Sequence, residues 1–515
     1  MIISGASKIR LHLHRFQQSS TTYNFNPRYI GPTIVIHFTS IPFGGESSIM
    51  SDYRIEKDSL GEVRVPAEAW YAAQTQRAHD NFPISGIRFP RRFIQALGTV
   101  KLAAAKANRD LGILESNTAD LIVAASERVR AGEVDSEFVL DIFQTGSGTS
   151  SNMNANEVIS NLATVAAGGK RGDKTVHPND HVNMSQSSND VIPTAMHVST
   201  VVTIEEELIP ALKAFQKGLE DKATEFDDVL KSGRTHLMDA TPVRLGQEFS
   251  GYAAQISQAT ERIQRSVKEL RELALGGTAT GTGINCPDGF AQKAIEYISE
   301  ATGYHFREAD NHFAAQAAKD AFVQASGSLN TLSVALLKIA NDIRHLSSGP
   351  TSGLSEILLP AIQPGSSIMP GKVNPVLSEA MMMACARVMG NNMTITIGGQ
   401  HGNFELNVMM PVMAQAMLES ISILAGAMNA FRTGCLVGIK ADRDRCRELL
   451  ELNPSIATAL NRTIGYDMAS KVAKRSAAEK KSVRQVVLEM ELLDQATLDD
   501  VLDVRHMTEP GIPGQ

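Results

Sequence analysis

The sequence predicts a mainly α protein built around a bundle of long helices, on the strength of composition and periodicity. Of 515 residues, 43% are hydrophobic but only 5% aromatic, with a single Trp, a balance suited to helices packed through small aliphatic side chains. Phe322, Ala325, Leu329, Leu332, Leu336, Ile339, Ile343 and Leu346 alternate steps of three and four, keeping one apolar seam on one helix face. Phe249, Tyr252, Ile256, Ala259, Ile263, Val267 and Leu270 repeat that pattern, and Met413, Met417, Leu424, Met428 and Phe431 follow it more loosely. A further helical segment runs from Asn189 towards Lys231, where Pro210 should kink or divide it. Helices of ~30 residues would be ~45 Å long, too long for one protomer of this size to cover, so association between copies is expected.

The chain exceeds the size at which single hydrophobic cores stop growing, and several domains are expected. We divide it into an extension at 1–50, an N-terminal domain at 51–186 mixing short helices with Gly- and Asn-rich loops, a helical bundle at 187–443, and a small domain of short charged helices at 444–515. The extension holds one acidic residue, Glu46, among Lys8, Arg10, Arg15 and Arg28, and is expected to be disordered and irrelevant to catalysis. Its composition fits a transit peptide, or a segment upstream of a true start at Met50. It has no apolar run near the ~20 residues that span a bilayer.

A net charge of −7 offers no chain-wide attraction for nucleic acid or anionic lipid, so neither partner is expected. Cys286, Cys385, Cys435 and Cys446 show no CxxC spacing, which favours reduced thiols and speaks against an iron–sulfur cluster.

Four polar clusters interrupt the apolar scaffold. Gln144–Asn154 (QTGSGTSSNMN) offers hydroxyls, amides and backbone N–H groups freed by glycine, the donors a carboxylate requires. His177–Asp190 (HPNDHVNMSQSSND) ends at a helix start where Ser188 or Asn189 would cap and the dipole would favour an anion. Ser232–Pro242 (SGRTHLMDATP) places His236, a proton-exchanging side chain, beside Thr235 in the connector between two helical segments. Gly365–Pro375 (GSSIMPGKVNP) cannot form regular structure, so its backbone presents Ser366, Ser367, Lys372 and Asn374 from a loop. Pro375 can open the next helix at its first position, with Glu379 one turn inside. Gly276–Gly283 (GGTATGTG) lacks a preceding strand and a GxGxxG pattern, and reads as a substrate-side or packing loop.

These clusters resemble the fumarase/aspartase superfamily, and most closely its class II fumarases, from about residue 51 to the C-terminus; the signature GSSIMPGKVNP matches without substitution. The resemblance implies a three-domain, mainly α fold whose long central helices form a twenty-helix core in a homotetramer, each site being shared between subunits. It implies reversible hydration of fumarate to L-malate, as in the tricarboxylic acid cycle, by general acid/base chemistry through an enediolate, with no cofactor and no metal. Ser366 matches the base that takes the C3 proton of malate, His236 the histidine linked to substrate through water, and Glu379 its carboxylate partner. Ser147, Gly148, Thr149, Ser187, Ser188, Asn189, Thr235, Ser367, Lys372, Val373 and Asn374 match the substrate-binding set. His177, Pro178, Asn179 and Asp180 match a second dicarboxylate site.

Aspartate ammonia-lyases of the superfamily usually carry Gln at the position of His236 and Ala at that of Gly371, so both positions favour hydration over deamination. Many fumarases have Glu in place of Gln363 and Arg in place of Lys174. The similarity around QPGSSIMPGKVNPVLSE runs closer to bacterial sequences, which favours a cytoplasmic protein; a transit peptide at 1–50 would instead send it to the mitochondrial matrix.

Overall fold

The computed structural model describes residues 52–512, so the expectations for residues 1–50 lie outside the described residues. Among the described residues, seventeen α-helices dominate, and ten strands of seven residues or fewer pair only two at a time. Every residue of the three apolar stripes is buried. The stripes become the helices Leu245–Leu270, Asp320–Leu346 and Met410–Gly434. Val376–Gly399 packs between the latter two, and Ile209–Glu225 closes the bundle against Leu245–Leu270 and Met410–Gly434. Met410–Gly438 is apolar enough to cross a membrane, but 61% of its most apolar stretch is buried, which makes it a bundle helix.

The segment preceding Ile209 behaves as Pro210 dictates. Helix Ser188–Thr203 widens into a π-helical turn at Ile204–Leu208, where the Ile209 N–H donates to the Ile204 carbonyl, before Ile209–Glu225 resumes the α-helix. Proline has no N–H for the preceding turn, and the ladder accommodates this by slipping one residue.

The N-terminal part corrects the expectation of short helices. Arg91–Asp110 runs 20 residues and Thr149–Ala166 runs 18. The first buries Phe93, Leu97, Val100, Ala104 and Ala107 at steps of three and four, and further residues from Ile94 to Lys101 and Asn108 beside them. The second buries Asn152, Asn154, Asn156 and Asn161, and its polar sequence imitates a loop. Two β-hairpins, Tyr53–Asp58 with Gly61–Pro66 and Leu230–Thr235 with Met238–Arg244, add strands where helices and loops are expected. One large apolar core draws on residues from Val65 to Cys446, and a second, small one on Leu450–Leu502. The four cysteines are free; burial pushes the thiols of Cys385, Cys435 and Cys446 up to about 12.

Candidate active site

Two helix N-termini meet to form a cradle of donors. Thr149–Ala166 begins after Gly148, whose φ of 72° is a left-handed conformation natural to glycine. A Cβ at Gly148 would lie 2.9 Å from Ile192 of the second helix, so the close approach also demands glycine. Ser147 Oγ and Thr149 Oγ1 share a hydrogen bond of 2.8 Å at this start. The second helix, Ser188–Thr203, is capped by Ser187 rather than by Ser188 or Asn189. The reason is visible three residues on: Asp190 accepts from the Ser187 N–H at 2.9 Å and completes a capping box. Asn152 of the first helix donates to Ser188 Oγ at 3.1 Å and ties the two starts together. Both helices leave first-turn N–H groups without helical partners, and their dipoles favour an anion at these starts.

The Gly276–Gly283 segment closes one side. Gly276 and Thr278 N–H groups each donate to Asp190 Oδ2 at 3.0 Å, and Asn189 Nδ2 donates to the Ala279 carbonyl at 2.8 Å. It packs against the cradle's second helix start. Burial pushes the fully buried Asp190 carboxyl up, opposed by these N–H donors and by Lys101.

His236 sits at the tip of the Leu230–Arg244 hairpin, not in an irregular connector. His236 and Leu237 have φ of 59° and 61°, which makes a tight turn of left-handed residues without the usual Asn-Gly. Such residues cost ~1–2 kcal/mol each and persist only when their surroundings hold them. The surroundings are an ionic anchor: Arg234 grips the fully buried Glu356 with two hydrogen bonds of 2.8 Å, and Lys231 reaches Glu248 at 2.9 Å and Glu356 at 3.3 Å. Asn453 adds hydrogen bonds to Ser232 Oγ and the Ala240 carbonyl at 3.0 and 2.7 Å. A register shift between Ser232 and Arg234 re-aims the strand towards its tip. Thr235 and His236 are exposed, as are Leu237 and Met238 at 77% and 70%.

The Gly365–Pro375 loop closes on itself. The Gly365 N–H donates to the Lys372 carbonyl at 2.7 Å and Asn374 Nδ2 to the Gly365 carbonyl at 2.7 Å. A Cβ at Gly365 would stand 2.4 Å from the Lys372 oxygen. Within this ring Ser366 Oγ accepts from the Ile368 and Met369 N–H groups at 3.2 and 3.0 Å. Ser367, Lys372 and Val373 are exposed, and Lys372 makes no ion pair among the described residues. Pro375 is the residue just before helix Val376–Gly399, one place earlier than expected, and Glu379 lies exposed in its first turn.

The predicted second site folds as a cap. His177 Nδ1 accepts from the Asn179 and Asp180 N–H groups at 3.3 and 3.1 Å at the start of the π-helical turn Pro178–Val182. Pro178 is buried, Asn179 and Asp180 are exposed, and Lys174 points away to the Lys57 carbonyl at 3.0 Å.

The structure therefore brings Ser147, Gly148, Thr149, Ser187, Ser188 and Asn189 together within one chain. No hydrogen bond or ion pair among the described residues joins them to Thr235, His236, the Ser366–Asn374 segment or Glu379, nor His236 to Glu379. A cavity of about 620 Å³ lies elsewhere, lined by Leu230, Arg443, Leu450, Val483 and others, none of them a predicted site residue. Lys101, Lys231, Glu248 and Glu356 are the charged residues around the site that sequence reading missed. Each is isolated in the sequence and gains its meaning only from what the fold puts beside it.

A lyase family model matches residues 61–390, and a model of the fumarase C C-terminus matches residues 456–509. A class II fumarate hydratase of Halobacterium salinarum is 55% identical over 461 residues, covering 90% of this chain and 98% of that relative. The crystal structure of a class II fumarase from Schistosoma mansoni superposes with a TM-score of 0.87 at 39% identity, covering 89% of this chain and all of that one (100%). A Brucella melitensis structure described as fumarate lyase:delta crystallin bound to cobalt gives 0.86 at 43% identity, with coverage of 89% and 100%. The chain belongs to the lyase family and, within it, to the class II fumarate hydratases.

Proposed function

We propose that the protein interconverts fumarate and L-malate, serving the tricarboxylic acid cycle in the cytoplasm, as a homotetramer whose sites combine loops of neighbouring subunits. The observation that carries this reading is the cradle: two helix N-termini converge on hydroxyls and N–H groups suited to a carboxylate. Removal of the C3 proton of malate creates a second negative charge on the adjacent carboxylate. Donors set in advance around it lower the barrier; in this reading Lys372 and Asn374 supply them, while the cradle holds the other carboxylate.

Ser366 takes the C3 proton as an alkoxide. Two backbone N–H groups aimed at its Oγ support this role, because they favour the charged form of an otherwise weak base. The C2 hydroxyl then departs, protonated through a water held by His236, and leaves fumarate and water; hydration is the reverse. Glu379 of another subunit would complete the His236 pair.

Assembly is supported by helix Val376–Gly399, which is apolar on both sides. Met381, Cys385, Val388 and Ile395 face the bundle, while Met383, Met393 and Ile397 are 68%, 60% and 45% exposed. Such a helix is ordinarily covered. The free thiols suit a reducing compartment.

The test is direct. Given L-malate, the purified protein generates the ultraviolet absorbance of fumarate, and given L-aspartate it releases no ammonia. Ammonia from aspartate with no product from malate would replace this reading with an ammonia-lyase.

A further inference from the structure

Beneath the cradle lies a charge that no step of the proposed reaction uses. Lys101, in the middle of helix Arg91–Asp110, is fully buried. Its Nζ donates to Asn183 Oδ1 at 3.1 Å and Gln186 Oε1 at 2.9 Å, and makes no ion pair within hydrogen-bonding reach. A buried ammonium is expensive to keep and is rarely found without a carboxylate in contact. Burial pushes it down to about 7, and the charge that opposes this shift is Asp190, beside the cradle's second helix start.

Asn183 connects the ammonium to the cradle. Its Oδ1 accepts three donors: Lys101 Nζ, Asn152 Nδ2 at 3.1 Å and Asn156 Nδ2 at 3.1 Å. Because Asn183 Oδ1 can only accept, it fixes the Asn152 amide with its NH₂ inward. That same NH₂ donates to Ser188 Oγ, so the Ser188 oxygen is an acceptor on its inner side and its own O–H is left to donate outward.

We propose that Lys101 is a positioning residue of the cradle: through Asn183 and Asn152 it sets Ser188 as an outward donor, and its charge offsets Asp190 behind the bound carboxylate. The inference rests on the proposed fumarate–malate reaction. Without the ammonium, Asn183 loses its strongest donor and the Asp190 carboxylate faces an incoming dianion unbalanced. The cradle holds the same carboxylate in ground and transition states, so its disturbance falls on KM more than on kcat.

In the full-length tetramer, Lys101→Met removes the charge and keeps most of the volume. It is expected to raise KM for both fumarate and L-malate by ~10-fold or more while kcat stays within ~3-fold. Asn152→Ala cuts the relay one step nearer Ser188 without touching a charge, and is expected to raise KM in the same direction by ~3-fold or more. A folded variant of either kind with wild-type KM, its loss confined to thermal stability or folded fraction, would overturn the proposal. So would failure of both variants to assemble, which would make the relay a folding element. Activity of the wild-type protein on malate, measured in parallel, separates these outcomes from failure of the functional reading itself.

Discussion

The central bundle and the segments proposed to carry the chemistry obey opposite rules. In the bundle, Leu329, Leu336, Ile339 and Ile343 face inward within a single chain, and each satisfies its chemistry on the spot. The hairpin tip at His236 and the loop at Ser366 do the reverse: they are tightly built and then left exposed, with Leu237, Met238 and Ile368 in water at 77%, 70% and 84%. Rigid construction of an exposed polar site, at a local cost in left-handed residues, makes sense when something else arrives to complete it. A second contrast lies within the site. The cradle is anchored by hydrogen bonds over a buried lysine that makes no ion pair, whereas the His236 hairpin is anchored by ion pairs.

If the tips serve chemistry alone, changing them should abolish activity and spare the fold. Ser366→Ala and His236→Asn are each expected to lower kcat by ~10²–10⁴-fold with unchanged thermal unfolding. Wild-type turnover in either variant contradicts its role, and a large fall in Tm would erase the distinction between tip and scaffold.

The hairpin anchor should serve both. Arg234→Met leaves Glu356 buried with half its partners, an arrangement that costs about 3–5 kcal/mol, and it also releases the tip. Denaturant unfolding should show the loss together with reduced turnover in the folded fraction. Full activity in a destabilised variant would mean that the tip needs no anchor.

Inside the bundle, a titration should affect stability only. His197 is half-buried against Phe322, with Nδ1 on the Glu272 carbonyl at 2.8 Å, and burial with nearby Lys319 holds it down to about 4. Its neutral form is favoured on folding, so the stability it contributes is complete above its ordinary value of 6.5 and is lost as pH falls towards 4. The difference in unfolding free energy between pH 7 and pH 4 should shrink by about 3 kcal/mol in His197→Gln. Identical pH dependence in the two proteins would show that this histidine does not titrate as its burial requires.

The scaffold was largely legible because one-sided helices write their burial into a period: the stripes from Phe249 and Phe322 map residue for residue onto buried faces. The N-terminal helices were less so: the period of Phe93, Leu97, Val100, Ala104 and Ala107 in Arg91–Asp110 ends in small alanines, and Thr149–Ala166 buries amides in place of an apolar stripe. The four polar clusters were legible by composition, and the start at Ser187 was also written there as a Ser and an Asp three apart, although it was read one residue late. The hairpin at His236 was hidden because His-Leu is not a turn signal; only the ionic anchor explains it. Lys101 and Glu356 were invisible for a different reason, as a lone charge in a helix or connector reads as solvated until the fold encloses it.

The central claim is that the cradle of one subunit meets the His236 tip and the Ser366 loop of others. Coexpression of Thr149→Ala and Ser366→Ala, assayed at an L-malate concentration too low for the Thr149→Ala cradle to fill, tests it most directly, because mixed tetramers would hold some sites assembled only from intact parts. The account predicts turnover of L-malate well above the sum of the two variants alone. Co-assembled tetramers whose activity stays at that sum would contradict it.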